Sequence, residues 1–248
     1  MPDKKVMEWT GERYVPQLRG PIALEHLHRY AYASEYVGSK VVLDISSGEG
    51  YGSAMLSHTA TQVYGVDLAQ ECITHAAAKY SSPKISFIQG SCTEIPLPDA
   101  MIDVVVSFET IEHLTEHDQM ISEIKRVLKP DGLLIISSPE KHQYGKILKA
   151  PNPFHAKELQ GDQLVELLNK NFKHTAYLGQ RFVQCSALFQ LGRPQGVSKT
   201  YQLNDSSIKA EVGLPEPTYL IGICSDSPQH QLQAGGLCEY TVSAGNNR

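Results

Sequence analysis

Short apolar runs alternate with stretches of helical periodicity along residues 40–140. Apolar segments at 41–45, 62–66, 85–89, 102–108 and 133–137 predict five strands. The stretches between them predict helices through 54–56, over 69–80 and over 117–128. Runs that stay apolar at consecutive positions belong to strands buried on both faces, the pattern of a parallel sheet covered by helices. Upstream, Ile22, Leu24, Leu27, Tyr30, Ala31 and Ala33 recur at near-helical spacing and predict a helix that Gly38-Ser39 stops. Beyond Pro139 the alternation weakens. A helix over 157–169 and strands at 173–178 and 219–224 are expected, with 183–217 irregular apart from a hairpin near 192–196. The Gln-, Gly-, Ser- and Asn-rich end reads as a flexible tail.

The most informative stretch joins the first two strands. Val41-Val42-Leu43-Asp44-Ile45 runs into Ser46-Ser47-Gly48-Glu49-Gly50-Tyr51-Gly52, a strand opening through glycines into a helix. Such a turn brings backbone close to a ligand. The next strand ends in Asp67-Leu68, nineteen positions after Gly48. That is near the ~20 residues that separate a glycine turn from a ribose-binding acid. A dinucleotide site needs G-x-G-x-x-G so that a pyrophosphate rests on the helix N-terminus. Here the glycines stand at 48, 50 and 52, and Ser53 falls where the last dinucleotide glycine would be. Asp44 would repel a pyrophosphate but suits a ligand carrying an ammonium and a sulfonium. Charge therefore favours S-adenosylmethionine.

With these residues in view the chain resembles the class I S-adenosylmethionine-dependent methyltransferases, whose first motif is D-x-G-x-G-x-G after a strand. Ser46 stands at the first glycine, which implies altered contacts rather than lost binding. Gly90-Ser91-Cys92-Thr93-Glu94-Ile95-Pro96-Leu97 is similar to the family's adenine-side loop, with Ser91 in place of its acid and Cys92 as a packing residue. Asp99 through Asp103 to Phe108-Glu109-Thr110-Ile111-Glu112-His113-Leu114 resembles the fourth motif, and Leu128-Lys129-Pro130-Asp131-Gly132 the turn before the fifth strand. The resemblance covers about residues 40–140 and implies a doubly wound α/β fold with a mostly parallel, seven-stranded sheet. It also implies the cofactor contacts Arg29, Asp44, Ser46, Gly48, Gly50, Asp67, Leu68, Ser91, Cys92, Thr93, Phe108 and Glu109. The flanks, Thr10 to Pro16, Glu25 to Tyr30 and Asn152 to Leu159, resemble bacterial methyltransferases associated with cell-surface glycan biosynthesis.

Methyl transfer from a sulfonium chiefly requires alignment of donor and acceptor. A hydroxyl acceptor adds a need for a base, and histidine suits neutral pH. His113, after the fourth strand, and His155, in a Pro-containing loop after the fifth, are the candidates. Either could equally be a histidine that holds a loop. A helical reading puts Glu109 and His113 on one face, and no metal site is assigned. Arg29 sits on a helix that could cover the cofactor, facing its carboxylate. Trp9, Arg13 and Tyr14 could order over a substrate or simply pack.

Charge and cysteine usage narrow the setting. Lys plus Arg is 22 against 27 for Asp plus Glu, a formal net charge of −5, with no basic stripe. A polymeric nucleic acid is thus a poor substrate, because phosphate neutralisation supplies most of that affinity. The five cysteines are scattered without a CxxC pair, which argues against disulfides or structural zinc and for a reducing, cytoplasmic setting. Neither a signal peptide nor a membrane-inserted run is expected. The expected organisation is an arm and lid helix at 1–38, a methyltransferase domain at 39–225 with an acceptor-side insertion about 183–217, and a tail at 226–248. The expected reaction is O-methylation of a sugar or nucleotide-sugar hydroxyl, releasing S-adenosyl-L-homocysteine. The rivals are a non-sugar small-molecule acceptor, a dinucleotide oxidoreductase, and a non-catalytic protein that keeps the cofactor fold. A homo-oligomer is compatible with all of these.

Overall fold

The computed structural model describes residues 14–147, 152–183, 199–204, 207–214 and 216–228. Its frame is a seven-stranded sheet. β1 (Val41–Ile45), β2 (Gln62–Asp67), β3 (Ile85–Gln89), β4 (Ile102–Phe108) and β5 (Leu128–Pro139) are mutually parallel. The spatial order is β3-β2-β1-β4-β5, continued by β9 (Tyr219–Ser225) and then β6 (His174–Gln180). β9 is antiparallel to both of its neighbours. The expected doubly wound α/β class and the expected strands are all present.

The apolar runs divide between two cores because successive side chains on a strand point to opposite faces. Val42, Val104, Val106, Leu133 and Ile135 pack on one face, with Tyr30, Ala33 and Leu56. Leu43, Val105, Leu134 and Ile136 pack on the other, with Ile121, Ile124, Leu164 and Leu168. The first face is covered by α1 (Pro21–Ser34) and α2 (Tyr51–Leu56), the second by α4 (His117–Val127) and α6 (Gly161–Asn171). α4 shows why such a helix forms: Met120, Ile121, Ile124 and Val127 are all buried and fall on one helical stripe. α3 (Gln70–Lys79) follows β2 and buries Cys72, Ile73 and Ala76.

Several boundaries differ from expectation for local reasons. α6 starts at Gly161 rather than near 157 because the Gln160 and Gln163 side chains form a reciprocal capping box. The segment Lys129-Pro130-Asp131-Gly132, expected as a free turn, lies inside β5, where the register against β4 shifts between Ile102 and Val104. A further helix, α5 (Lys141–Ile147), follows β5. The span 183–217, expected to be irregular, contains the antiparallel pair β7 (Lys199–Asn204) and β8 (Ser207–Val212). The hairpin expected near 192–196, like Trp9, Arg13 and the tail beyond 228, lies outside the described residues. Among the described residues no helix is long and apolar enough to cross a membrane, and Cys72, Cys92 and Cys224 are buried in the core.

This topology sets the site. The parallel strands all end at one edge, and the order reverses between β1 and β4, where a doubly wound sheet opens a crevice. Because β9 is antiparallel, it begins at that same edge: Tyr219 pairs with Pro139 on one side and with Gln180, the end of β6, on the other.

Candidate active site

The turn after β1 is built from residues with three separate reasons for being there. Ser46 takes a left-handed conformation, φ 62°, at the position where the resemblance expects glycine. A non-glycine residue there carries backbone strain on the order of 1 kcal/mol. Gly48 is also left-handed, φ 54°, and a Cβ on it would meet open space. Gly50 is left-handed too, φ 94°, and both it and Gly52 are confined by neighbours. A Cβ on Gly50 would lie 2.6 Å from Ala76 Cβ, and one on Gly52 would lie 2.1 Å from the Tyr30 ring. Those two glycines serve packing of α3 and α1 against the turn, and Gly48 alone faces space.

Asp44 is enclosed, with no exposed surface. Its Oδ1 accepts from Tyr30 Oη at 2.9 Å and its Oδ2 from Ser53 Oγ at 2.6 Å. Burial raises its pKa to about 6. The charge partner expected to look onto a ligand is therefore a buttress beneath the turn, tying α1 and α2 to β1. Asp67, at the tip of β2, is the outward carboxylate. Its Oδ2 accepts from the Gly48 amide at 2.8 Å and its Oδ1 from the Ala69 amide at 2.9 Å, and the other lone pairs of both oxygens remain for hydroxyl donors. Beside it Leu68 is 72% exposed, an apolar side chain presented at the edge. Ser91 closes its own loop: its hydroxyl pairs with that of Thr93 at 2.7 Å and accepts the Thr93 amide at 3.1 Å. Cys92 is buried and its thiol pKa is raised by burial, as expected of a packing residue.

Arg29 reaches the crevice from α1 and is 1% exposed. Its Nη1 donates to Gln180 Oε1 at 2.6 Å, its guanidinium lies 4.7 Å from the Tyr219 ring centre, and Nη2 is 3.9 Å from Glu109 Oε1. Among the described residues Nε and Nη2 have no hydrogen-bond partner. A buried guanidinium with two unpaired positions is costly unless an anion completes it. Ser47 Oγ, in the glycine turn, is likewise buried without a partner. Phe108 closes the floor, edge-on to Tyr30 at 5.1 Å. Tyr14 is 4% exposed and packs on His26 and Tyr51.

The segment after β4 is not the helix that would put Glu109 and His113 on one face. Glu109 is left-handed, φ 53°, with Oε1 accepting from Ser137 Oγ at 2.6 Å, and only Ile111–His113 form a 3₁₀ turn. This tight turn carries Glu112 inward, where it is 1% exposed and its Oε2 has no partner among the described residues. Burial, then the neighbouring Glu109, pushes its pKa well above the ordinary carboxylate range. His113 and His155, predicted from separate loops, come together with ring centres 5.1 Å apart. His113 Nδ1 bonds the Phe154 carbonyl at 2.8 Å. His155 Nδ1 bonds Glu158 Oε1 at 2.6 Å, its Nε2 lies 2.9 Å from the Asn152 amide nitrogen, and Tyr144 stacks on its ring. Tyr144 in turn neighbours Tyr219, so one aromatic wall runs from Arg29 to the histidine pair.

Four contributors were not assigned from sequence. Gln180 and Tyr219 reach the crevice only through the antiparallel β9. Glu112 is a second acid, three positions after the Glu109 that opens the turn. Glu49 is buried under the glycine turn by His75, Lys79 and Tyr80. Of these, the pairing of two acids with His113 over 109–113 was the one visible signal.

Residues 43–136 match the family model of a methyltransferase domain. A "probable S-adenosylmethionine-dependent methyltransferase" of Mycolicibacterium smegmatis is 37% identical over 162 residues, 64% of this chain and 62% of that protein. A fatty-acid O-methyltransferase of the same species is 30% identical over 112 residues, 44% of this chain and 40% of that protein. The chain thus spans about three-fifths or less of the length of these curated relatives. The solved structure of an S-adenosylmethionine-dependent methyltransferase from Aquifex aeolicus superposes with a TM-score of 0.54 at 20% identity, covering 84% of this chain and 93% of that one. That likeness is one of fold. The family match covers β1 through most of β5 and ends before the Asn152–Glu158 loop that carries His155.

Proposed function

We propose that this chain is an S-adenosylmethionine-dependent methyltransferase that methylates a hydroxyl group, with a sugar or nucleotide sugar as the acceptor class. The observation that carries the reading is the buried, half-paired Arg29 at the same sheet edge as Asp67 and Leu68. Arg29 Nε and Nη2 would take the cofactor's carboxylate, Asp67 the ribose hydroxyls, and Leu68 one face of the adenine. Ser47, Gly48 and the loop from Ser91 to Thr93 would line the space between. Bound there, the cofactor supplies an activated methyl group. Glu158 holds His155 with its proton on Nδ1, so that Nε2 is the basic nitrogen, and it would serve an acceptor's proton once the acceptor displaces the Asn152 amide. The carboxylates and tyrosines around the histidines favour an acceptor with several hydroxyls.

Calorimetric titration with S-adenosylmethionine, S-adenosylhomocysteine and NAD tests the class. Binding of the two adenosyl sulfur ligands and not NAD is expected; binding of NAD alone would overturn it. Methyl transfer from labelled cofactor to a panel of nucleotide sugars, run beside fatty acids, then tests the acceptor. The fatty-acid arm is the second reading, because one relative carries that activity in its name. Transfer to fatty acids alone would replace the sugar assignment.

A further inference from the structure

We propose that Glu112, His113 and His155 form a binding site for a divalent transition-metal cation. One ligand atom from each lies within 4.8 Å of those of the other two, close enough for a single ion to draw them in. Two imidazoles and a carboxylate are the donor set of zinc, manganese, iron and cobalt sites, and three protein ligands leave coordination positions open.

A second, independent observation points the same way. Glu112 is 1% exposed, and its Oε2 has no partner among the described residues. A carboxylate placed so deep is costly unless a cation or donor completes it. The charged groups that act on it do not do so. Glu109 and Glu158 are of the same sign, and Arg29, which favours its charge, hydrogen-bonds Gln180 and pairs with Glu109 instead.

The histidines are set as metal ligands usually are. His113 gives its Nδ1 proton to the Phe154 carbonyl, which fixes the tautomer and leaves Nε2 as a lone pair without a hydrogen bond among the described residues. His155 gives its Nδ1 proton to Glu158, an arrangement in which the carboxylate both orients the ring and makes Nε2 more basic. The Asn152 amide on His155 Nε2 is the one contact an ion would displace. The local excess of carboxylates, Glu109, Glu112 and Glu158, supplies the field for a cation.

The location gives the ion a use that rests on the hydroxyl-acceptor reading. Open positions on the cation would orient an acceptor oxygen and lower its pKa, so that the imidazoles act as ligands rather than as the base. Binding is testable without that reading. The full chain, stripped with chelator, is titrated with Co²⁺ by visible absorption and with Zn²⁺ by calorimetry, in the absence of cofactor and acceptor. One ion per chain is expected, with d–d bands of a low-coordinate cobalt site. Glu158→Gln should weaken binding ~10-fold or more by releasing His155, and His113→Ala or His155→Ala should remove the cobalt spectrum.

Glu112→Gln tests the buried ligand. If it fails to fold by circular dichroism, the histidine variants decide. Retention of the ion at parental affinity by a folded His113→Ala, His155→Ala double variant would overturn the site, as would no binding by the parent. Methyl transfer to a nucleotide sugar by a chain that binds no ion would refute the site and leave the proposed activity standing. Ion binding by a chain that does not bind S-adenosylmethionine would do the reverse.

Discussion

The two ends of the crevice are built on opposite principles. At the β1–β2 end nearly every polar group is satisfied within the protein. Asp44 is held by Tyr30 and Ser53, Glu49 by three donors, and Asp67 by two backbone amides. At the β4–β5 end, Arg29 and Glu112 are buried with unpaired atoms, and two histidines face each other. The first end is a preformed frame in which Asp67 alone offers its carboxylate outward. The second is a set of charges that the fold brings together but does not complete. Satisfied networks set a shape, and incomplete ones mark where ligands supply the missing partner.

The largest effect that would break this contrast is at Asp67. Two hydrogen bonds from ribose hydroxyls to a carboxylate, each worth about 1.5 to 3 kcal/mol, predict a loss on the order of 10³-fold in S-adenosylmethionine affinity for Asp67→Ala. The side chain lies at the strand tip, so the variant should fold. Calorimetry on the folded variant decides, and unchanged affinity would remove the ribose assignment.

The frame itself is tested at its glycines. A Cβ at position 52 would fall 2.1 Å from the Tyr30 ring, which is buried between Tyr51 and Phe108 and cannot step aside freely. Gly52→Ala should cost about 3 kcal/mol, from overpacking and from loss of the Tyr30 bond to Asp44. Gly48→Ala meets no atom and should cost only its left-handed backbone, about 1 kcal/mol. Urea unfolding of the two variants separates them. Equal costs would mean that the three glycines of the turn act as one ligand-facing unit, contrary to the packing.

How much of this was legible in the chain follows from how local each feature is. The five parallel strands could be read because each is a continuous apolar run, and Asp67 because it follows the glycine turn at a set distance. Arg29 falls on the predicted first helix, but its bond to Gln180, 151 positions away, is not readable there. The roles of Gly50 and Gly52 could not be read, since their neighbours Ala76 and Tyr30 arrive from other helices. The enclosure of Asp44 is hidden in the same way, because Tyr30 reaches it from α1 and Ser53 only once α2 has formed. The histidine pair was named, but His113 meets the Phe154 carbonyl across 41 positions, a convergence that periodicity does not encode. The helical reading of 109–113 failed because Glu109 turns left-handed, which no propensity for glutamate predicts. β7 and β8 were missed because they pair only with each other, outside the main sheet.

A third test uses pH. Asp44 has an ordinary pKa of 3.8 and one of about 6 in the folded chain, with burial as the main cause and the Ser53 and Tyr30 bonds opposing it. A raised carboxyl pKa means that the native state holds the proton more tightly than the unfolded one. This group therefore adds stability that is fully present below about pH 4 and is lost as pH rises through 6. The difference is roughly 2 to 3 kcal/mol between those limits. Asp44→Asn should flatten the stability profile over that window relative to the parent. A parallel pair of profiles would show that Asp44 ionises as it does in water and is not the enclosed buttress of the β1 end.

The smallest expected effect refines the frame. Ser46 occupies a left-handed position, φ 62°, that glycine adopts without steric penalty. Ser46→Gly removes strain of about 1 kcal/mol but adds freedom to the unfolded chain, leaving a net gain of about 0.5 kcal/mol. For a chain of this size that is a rise in melting temperature of roughly 1 to 2 °C. If the strain is merely tolerated, stability rises and cofactor affinity is unchanged. If the serine hydroxyl contacts the cofactor, the same variant gains stability and loses affinity. Thermal melts with and without S-adenosylmethionine separate the two, because ligand stabilisation of the variant then falls below that of the parent. A melting temperature that drops without ligand would show that the left-handed serine is held by contacts stronger than its strain, and that the turn is a fitted structure rather than a glycine motif with one replacement.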